Sequence, residues 1–459
     1  MKLTFLGAAE TVTGSKILFD HQNYIGMIDC GLFQGSKELR LRNWVDHLEF
    51  TEVEAIIITH AHLDHCGYIP RLYKNGFQGK IYCSKPTADL LKIMLLDAAK
   101  IQVEDAQYAN KTHHSKHNPA LPLYDEDDVL QALKYVHGVD WGKEIQLSHN
   151  MSFSLHRTGH ILGSAYVNLK YIERDQLLNV IFSGDLGSDR SPLLIEPEKI
   201  TTANAVVIES TYGNRKINRG SILPALEKCI NDVMDRQGTL IIPAFSLGRA
   251  QDIMYLITQL YLDNRIKTPQ VFLDSPMSHH ITEIYQNYIQ EMKPLVREKG
   301  MKYILSDEIC HSVSSFEESK ALVQSDRSKI VITASGMLQG GRVLHHLKEK
   351  LTDSRNGVLF IGFQALGTKG RLLKDGIGQI RIHHQDVKVN AEIFSIDGLS
   401  AHADSDELVG WLSNLNDQPK MIMINHGEPE ASEALAYRLK NELKWDHVLV
   451  PKDGQTVEL

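Results

Sequence analysis

An apolar strand that ends in a histidine-rich loop constrains the fold of this chain more than any other stretch. Residues 55–58 are Ala-Ile-Ile-Ile, and Thr59 then leads into the loop 60–65, which is His-Ala-His-Leu-Asp-His. A short run of β-branched residues predicts a buried strand, so the loop lies at the carboxyl end of a strand. Imidazole and carboxylate groups bind zinc, and the four donors exceed what one tetrahedral ion takes from a single loop. The stretch predicts a site for two metal ions, with solvated loop histidines as the alternative.

Further predicted strands end in the same kinds of side chain. The strands at 153–158, 179–183 and 421–425 lead into His160, Asp185 and His426. Neighbouring glycines remove side-chain bulk, so these donors can approach an ion closely. A strand at 24–29 ends in Asp29, which could orient a metal-binding histidine by a hydrogen bond. Taken singly, each of these residues is also explained as part of a turn.

The length and the strand pattern predict two domains, since 459 residues exceed one ordinary core. Near residue 210 the pattern changes to alternating strands and helices, including a helix at 278–296, which is typical of a parallel sheet. A strand at 387–396 then leads back to histidine-bearing loops. We therefore expect an α/β protein in which a domain of residues 1–209 and 386–459 is interrupted by a second domain of residues 210–385.

Composition limits the partner and the compartment. The formal charge of −8 requires that any nucleic acid bind a local basic groove together with metal ions. The five cysteines are widely spaced and form no Cys-x-x-Cys pair, which argues against a disulfide framework and favours a reducing cytoplasm. The amino-terminal apolar segment is too short for a secretory signal, and no stretch approaches the roughly 18 apolar residues of a membrane span.

Several motifs in a fixed order resemble the metallo-β-lactamase superfamily, and specifically its β-CASP nuclease branch. Besides the histidine loop, they are 209–213 (Glu-Ser-Thr-Tyr-Gly), 243–251 (Pro-Ala-Phe-Ser-Leu-Gly-Arg-Ala-Gln), 333–337 (Thr-Ala-Ser-Gly-Met), 363–365 (Phe-Gln-Ala), 367–371 (Gly-Thr-Lys-Gly-Arg) and 400–402 (Ser-Ala-His). The resemblance implies a four-layer αββα domain with an inserted α/β β-CASP domain that has a parallel sheet, and two zinc ions in the cleft between them.

The resemblance also assigns the metal ligands. It implies that His60, His62 and His160 bind one zinc ion, that Asp64, His65 and His426 bind the other, and that Asp185 bridges them. Asp29 would support this set by holding a histidine. The same imidazole and carboxylate donors also accept manganese or iron. Such a pair of ions can activate a hydroxide and clamp a phosphodiester during in-line displacement.

The resemblance further implies the catalytic and phosphate-binding residues. His402 would act as general acid, Glu209 would orient it, and Asp64 would be catalytic as well as a ligand. The glycine-flanked segment with Ser335, Gly336 and Arg342 resembles the place where the family grips substrate phosphates. A simple turn is the alternative explanation of that segment.

The expected activity is hydrolysis of single-stranded RNA, similar to the endonuclease subunit of the eukaryotic cleavage and polyadenylation factor and its prokaryotic relatives. Exonuclease action is a further option, although no carboxyl-terminal domain like that of the ribonuclease J group follows and no KH domain precedes. The alternatives are a thioester or lactone hydrolase with the same metal core, or a non-catalytic RNA-binding scaffold. We expect no membrane attachment, and a homodimer is one option for the assembly.

Overall fold

The chain divides into two compact units. The computed structural model describes residues 1–45, 52–112, 117–217, 222–267, 270–299, 304, 309–362, 364–365, 367–396 and 398–459. Phe363, of the motif at 363–365, lies outside these residues. The first unit comprises 1–189, 196–216 and 402–459, and the second comprises 190–195 and 217–401.

The strands are β1 Lys2–Gly7, β2 Lys16–His21, β3 Tyr24–Ile28, β4 Ala55–Ile57, β5 Lys80–Ser84, β6 Val136–Val139, β7 Ile145–Ser148, β8 Met151–Arg157, β9 Ala165–Glu173, β10 Gln176–Phe182, β11 Ala205–Glu209, β12 Thr239–Pro243, β13 Val271–Asp274, β14 Cys310–Ser312, β15 Lys329–Thr333, β16 Gly357–Ile361, β17 Gln379–Ile382, β18 Gln385–Lys388, β19 Glu392–Ile396, β20 Met421–Asn425, β21 Val448–Leu449 and β22 Thr456–Glu458.

The helices are α1 Lys37–Leu41, α2 Leu63–Cys66, α3 Ile69–Lys74, α4 Lys85–Thr112, α5 Glu126–Ala132, α6 Ile222–Asp235, α7 Arg249–Leu262, α8 Pro276–Asn287, α9 Pro294–Lys299, α10 Phe316–Gln324, α11 Val343–Lys350, α12 Lys369–Lys374, α13 Ser405–Leu412 and α14 Pro429–Glu442. Single 3₁₀ turns occupy Arg42–Trp44, Leu133–Tyr135 and Ile289–Glu291.

The first unit contains two seven-stranded sheets, in the orders β22-β1-β2-β3-β4-β5-β6 and β21-β20-β11-β10-β9-β8-β7. In each sheet an antiparallel half joins a parallel half, which contains β3 to β6 in one sheet and β10, β11, β20 and β21 in the other. The two sheets share one apolar core, in which Phe5 and Phe19 of the first sheet pack with Phe153 and Phe182 of the second. The sheets therefore lie face to face.

Helices cover the outer faces of both sheets. Trp411 of α13 and Leu435 of α14 pack in one cluster with Ile208 and Ile424 of the second sheet. On the first sheet, α4 lies against β5 and β6 and buries Leu90 and other apolar residues of one face. The result is the predicted helix-sheet-sheet-helix arrangement.

The second unit is built on a six-stranded sheet in the order β14-β13-β15-β12-β16-β19, and every neighbouring pair is parallel. The predicted parallel sheet is therefore present. A separate two-stranded hairpin, β17-β18, packs its Ile382 and Val387 with Leu344 of α11 and Leu373 of α12.

Three details differ from the sequence-based expectation. The sequence predicts that the chain returns to the first domain at residue 386, but the first unit resumes at residue 402. The reason is that β19 pairs in parallel with β16 and so extends the sheet of the second unit. The predicted strand 387–396 is two strands, and between them the N–H groups of Asn390 and Ala391 both donate to Leu351 O. The predicted helix 278–296 is also two helices. The first, α8, ends at Asn287, and the second, α9, begins at Pro294.

Among the described residues, no helix combines the length and the apolar character that crossing a bilayer requires.

Candidate metal centre

The predicted ligands come together because they follow strands that end at the same edges of the two sheets. In the second sheet β10, β11 and β20 are parallel, so Asp185, Glu209 and His426 lie at neighbouring carboxyl ends. In the first sheet β3 and β4 are parallel, which places Asp29 beside Thr59 and the histidine loop. The antiparallel strand β8 leads into His160.

The first donor group consists of His60, His62, His160 and Asp185, all from the first unit. His62 Nδ1 lies 3.1 Å from His60 Nε2 and 3.2 Å from His160 Nε2. Oδ2 of Asp185 lies 3.5 Å from His60 Nε2 and 3.6 Å from His160 Nε2. Three imidazole nitrogens and one carboxylate oxygen therefore converge on one point.

The second donor group consists of Asp64, His65 and His426. The Nε2 atoms of His65 and His426 lie 3.0 Å apart, and Oδ2 of Asp64 is 3.8 Å from His426 Nε2. The other carboxylate oxygen of Asp185, Oδ1, lies 3.3 Å from His65 Nε2. Asp185 thus directs one oxygen to each group.

The spacing of these atoms fits zinc. Ligand nitrogens at 2.0–2.1 Å in a tetrahedral site are about 3.3 Å apart, close to the nitrogen separations in both groups. Burial lowers the pKa of His60 well below its ordinary value and that of His62 to about 4, so both rings are neutral ligands at pH 7. In the second group, burial lowers the pKa of His65, but the carboxylates of Asp185 and Asp29 outweigh it and raise this pKa well above its ordinary value.

Asp29 lies beside the histidine loop and contacts one of its histidines, as the sequence predicted. Its Oδ2 is 2.6 Å from His65 Nδ1 and also accepts from Ser15 Oγ at 3.2 Å. Its Oδ1 accepts from the Thr59 backbone N–H at 2.8 Å and from Thr59 Oγ1 at 2.9 Å. A carboxylate with these donors holds the Nδ1–H tautomer of His65 and leaves Nε2 to face the other ligands.

Two threonines act similarly, and sequence reasoning gave them no role. Thr59 Oγ1 donates its proton to Asp29, so it accepts from His60 Nδ1 at 3.1 Å. Thr211 Oγ1 is 3.2 Å from both His426 O and His426 Nδ1. Both contacts leave Nε2 of the histidine available. Their positions in the sequence could have indicated this role, since Thr59 precedes the histidine loop and Thr211 lies in the motif that begins at Glu209.

A glycine allows the loops to approach each other. A Cβ atom at Gly187 would lie 2.2 Å from the carbonyl carbon of Gly159 and 2.5 Å from His160 N. Only glycine fits at such a distance, so the loop after β10 can pack directly on the loop that carries His160.

His402 and Glu209 form a separate pair beside the two donor groups. His402 Nδ1 lies 3.2 Å from Glu209 Oε2, and its ring packs 4.4 Å from that of His160. Glu209 is buried, and its Oε1 accepts from the Leu186 N–H at 2.6 Å. Burial lowers the pKa of His402, but the carboxylates of Glu209, Asp185 and Asp64 outweigh it and raise this pKa to about 9.

The predicted phosphate-binding residues lie in the second unit. Arg342 donates from Nη1 to Asp274 Oδ1 at 2.7 Å and to Val313 O at 3.1 Å, and from Nη2 to Ser314 O at 3.1 Å. Its guanidinium is therefore largely engaged within the protein. Ser335 and Gly336 precede α11, and a phosphate contact by the three residues stays a prediction.

Three family descriptions match the chain. They are a metallo-beta-lactamase superfamily domain over residues 17–186, a Beta-Casp domain over residues 250–373, and a Zn-dependent metallo-hydrolase RNA specificity domain over residues 386–451. Their order agrees with that of the predicted motifs.

Curated relatives match over most or all of the chain. Ribonuclease TTHA0252 of Thermus thermophilus is 32% identical over 100% of both chains. Transcription termination factor FttA of Pyrococcus horikoshii is 34% identical over 95% of this chain and 68% of its own length, and that of Methanocaldococcus jannaschii is 31% identical over 93% and 67%.

A solved structure shares the fold. The crystal structure of a protein of unknown function from Enterococcus faecalis superposes with a TM-score of 0.56, covering 100% of this chain and 99% of that one at 12% identity. With the relatives above and a His/Asp cluster that could hold metal, these matches identify the chain as a β-CASP metallo-hydrolase of the metallo-β-lactamase superfamily.

Proposed function

We propose that this protein is a ribonuclease that hydrolyses phosphodiester bonds of single-stranded RNA with two zinc ions. His60, His62 and His160 hold one ion, and Asp64, His65 and His426 hold the other. Bound ions of this kind lower the pKa of water and offset the charge that develops on a phosphodiester during in-line displacement.

The position of Asp185 carries this proposal. Its two oxygens face different donor groups, at 3.5 Å from His60 Nε2 and 3.3 Å from His65 Nε2. Both groups are within reach of one buried carboxylate, which is the arrangement that holds two cations close together. In this proposal Asp185 would serve as a ligand in both donor groups, and Asp29 fixes the ring of His65 through Nδ1.

His402 supplies the proton for the leaving oxygen. Because Glu209 takes Nδ1, the proton to be delivered is on Nε2 of His402. The carboxylates around the ring favour its charged form, and cations at the adjacent ligands would lower this pKa. Protonation matters because an alkoxide is a poor leaving group.

RNA is the proposed substrate on the strength of the comparisons. The family description of residues 386–451 refers to RNA specificity, and one relative over the whole chain is named a ribonuclease. We propose internal cleavage as the main activity, with exonuclease action as the second mode. A thioester or lactone hydrolase and a non-catalytic scaffold stay as alternatives.

The cysteines support a reducing cytoplasm as the compartment, because all five are buried and none is paired. A homodimer stays a prediction, which light scattering on the purified protein would test.

The experiment that tests the function is incubation of the protein, assayed for metal, with 5'-labelled single-stranded RNA and DNA of the same sequence and with a thioester. We expect internal RNA fragments and little cleavage of DNA. Mononucleotides would instead indicate exonuclease action. Intact RNA beside a cleaved thioester would replace the proposal by the hydrolase alternative, and no cleavage of any substrate would favour the scaffold.

A further inference from the structure

The turn of the hairpin β17-β18 carries two histidines in a backbone conformation that histidine rarely adopts. His383 and His384 are the whole two-residue connection between Ile382 and Gln385, which are paired. Their φ angles are 47° and 62°. Such turns favour Asn-Gly, because both central residues need positive φ. Other two-residue turns of the chain, such as 22–23, have the same positive φ angles, so this turn is distinguished by its pair of exposed imidazoles.

The turn is held against a helix that presents further donors. The ring of His383 stacks on that of His345 of α11, with centroids 4.8 Å apart and an interplanar angle of 30°. Lys348 follows His345 by three residues on the same helix and lies on the same face. Lys369 begins α12, whose Leu373 shares an apolar cluster with Ile382 of the hairpin and with α11.

The side chains that act most strongly on the ring of His383 are histidines and lysines. Burial lowers the pKa of His383, and His345, Lys348, Lys369 and His384 lower it further, so all four act on one ring. In the part of the chain that the structure describes, neither lysine forms an ion pair with a carboxylate. This matters in a chain of net charge −8, because the net charge opposes the binding of a polyanion.

We propose that His345, Lys348, Lys369, His383 and His384, the histidine-turn patch, form a binding surface for single-stranded RNA. The lysines contact backbone phosphates, and the stacked imidazoles offer a flat face to an unpaired base. This inference rests on the proposed function and adds a substrate-binding surface that lies apart in sequence from the metal ligands.

A metal site is the competing use of three neighbouring histidines. Among the described residues, the donor groups close enough to share an ion do not include these imidazoles. Free lysines beside them would also repel a cation. The observations therefore favour a polyanion.

The first test compares Lys348→Gln/Lys369→Gln with a matched control, Lys92→Gln/Lys100→Gln, on α4. Both remove two positive charges from exposed or half-buried helix positions. KM for an unstructured single-stranded RNA is measured over a series of salt concentrations. The salt slope is the slope of log KM against the logarithm of the salt concentration. We expect the patch variant to lower this slope by about 1.4, or about 0.7 for each lost phosphate contact, and to raise KM roughly 25-fold at 0.1 M salt. The control should match the wild type.

The second test replaces the turn by its favoured sequence, His383→Asn/His384→Gly. A packing role for the rings predicts a lower melting temperature. The proposal predicts an equal or higher melting temperature, because Asn-Gly suits the turn, together with a KM for RNA raised at least about fivefold by the lost stacking.

The outcomes separate the two proposals. If the wild type binds and cleaves RNA and both patch variants have unchanged KM and salt slope, the patch is refuted and the proposed function stands. If the wild type neither binds nor cleaves RNA, both are refuted.

Discussion

His402 Nδ1 lies 3.2 Å from Oε2 of Glu209, and both residues come from the first unit although 193 positions separate them. An isolated antiparallel bridge between Gly187 and His402 and a 2.7 Å hydrogen bond from Ala403 N to Leu186 O hold the imidazole in place. The pair therefore offers a proton donor beside the ligands without itself completing either donor group.

Replacing His402 should separate catalysis from metal binding. We expect His402→Ala to keep the metal content of the wild type and to lower kcat for RNA by about 10²- to 10⁴-fold, because it removes a general acid and no ligand. Metal analysis and single-turnover kinetics on the same preparation test this. Full activity in the variant would remove His402 from the mechanism.

The charge of Glu209 should set the titration of His402. In metal-free protein the pKa of His402 is about 9, raised above its ordinary 6.5, so this pairing stabilises the fold fully below pH 6.5 and is lost as the pH rises through about 9. We expect Glu209→Gln to lower the His402 pKa and to remove that part of the pH dependence. NMR titration of the ring and denaturation across this pH range test it, and an unchanged titration in the variant would contradict it.

The contact between Asp29 and His65 should matter for metal affinity. Asp29→Asn weakens the 2.6 Å contact that fixes the tautomer of His65, so we expect zinc affinity to fall by about 10- to 100-fold. Asp20→Asn is the control, since Asp20 lies at the opposite end of β2 from the metal loop. Competition with a chromogenic chelator measures both. Equal affinities in the two variants would rule out an orienting role for Asp29.

Metal uptake should release a proton from His65. The carboxylates of Asp185 and Asp29 outweigh burial and raise the pKa of His65, so the metal-free ring is charged at neutral pH and a cation must displace its Nε2 proton. We expect zinc affinity to fall with falling pH. Calorimetry at neutral pH in buffers of different ionisation enthalpy should give different binding enthalpies, and identical enthalpies would show that no proton is released.

A methyl group at Gly187 should disturb the loop of His160. The added Cβ would lie 2.2 Å from Gly159 C, so we expect Gly187→Ala to destabilise the protein by about 1–3 kcal/mol and to reduce bound metal. Gly410→Ala in α13 is the control, because nothing lies within 4 Å of its Cβ, and it should stabilise by about 0.5–1 kcal/mol. Urea denaturation tests both, and a neutral Gly187→Ala would show that the two loops can separate.

The convergence of the ligands could be predicted from the sequence, because the end of a strand is recognisable from neighbouring residues alone. His60, Asp185 and His426 each follow a short apolar run, and the parallel pairing of β10, β11 and β20 brings such ends together. The predicted order of motifs also agrees with the matched families. What local signals cannot show is the tautomer of each imidazole, which Thr59 and Thr211 help to set through their hydroxyl groups.

Long-range partners account for the rest. Asp274 lies 68 positions before Arg342 and has no exposed surface, and its carboxylate engages the guanidinium that the sequence assigned to substrate. The sequence pattern of β19 does not show which sheet the strand joins. Its pairing with β16 is what assigns it to the second unit. In both cases the deciding contact is made by a residue or strand that is distant in sequence.

Dependence of RNA cleavage on two bound ions is tested by the metal content of active protein, measured beside RNA cleavage in the wild type and in Asp185→Asn. We expect two zinc ions per chain in the active wild type, and fewer ions with a proportionate loss of cleavage in the variant. Wild-type protein that cleaves RNA at its full rate after all metal has been removed would contradict it.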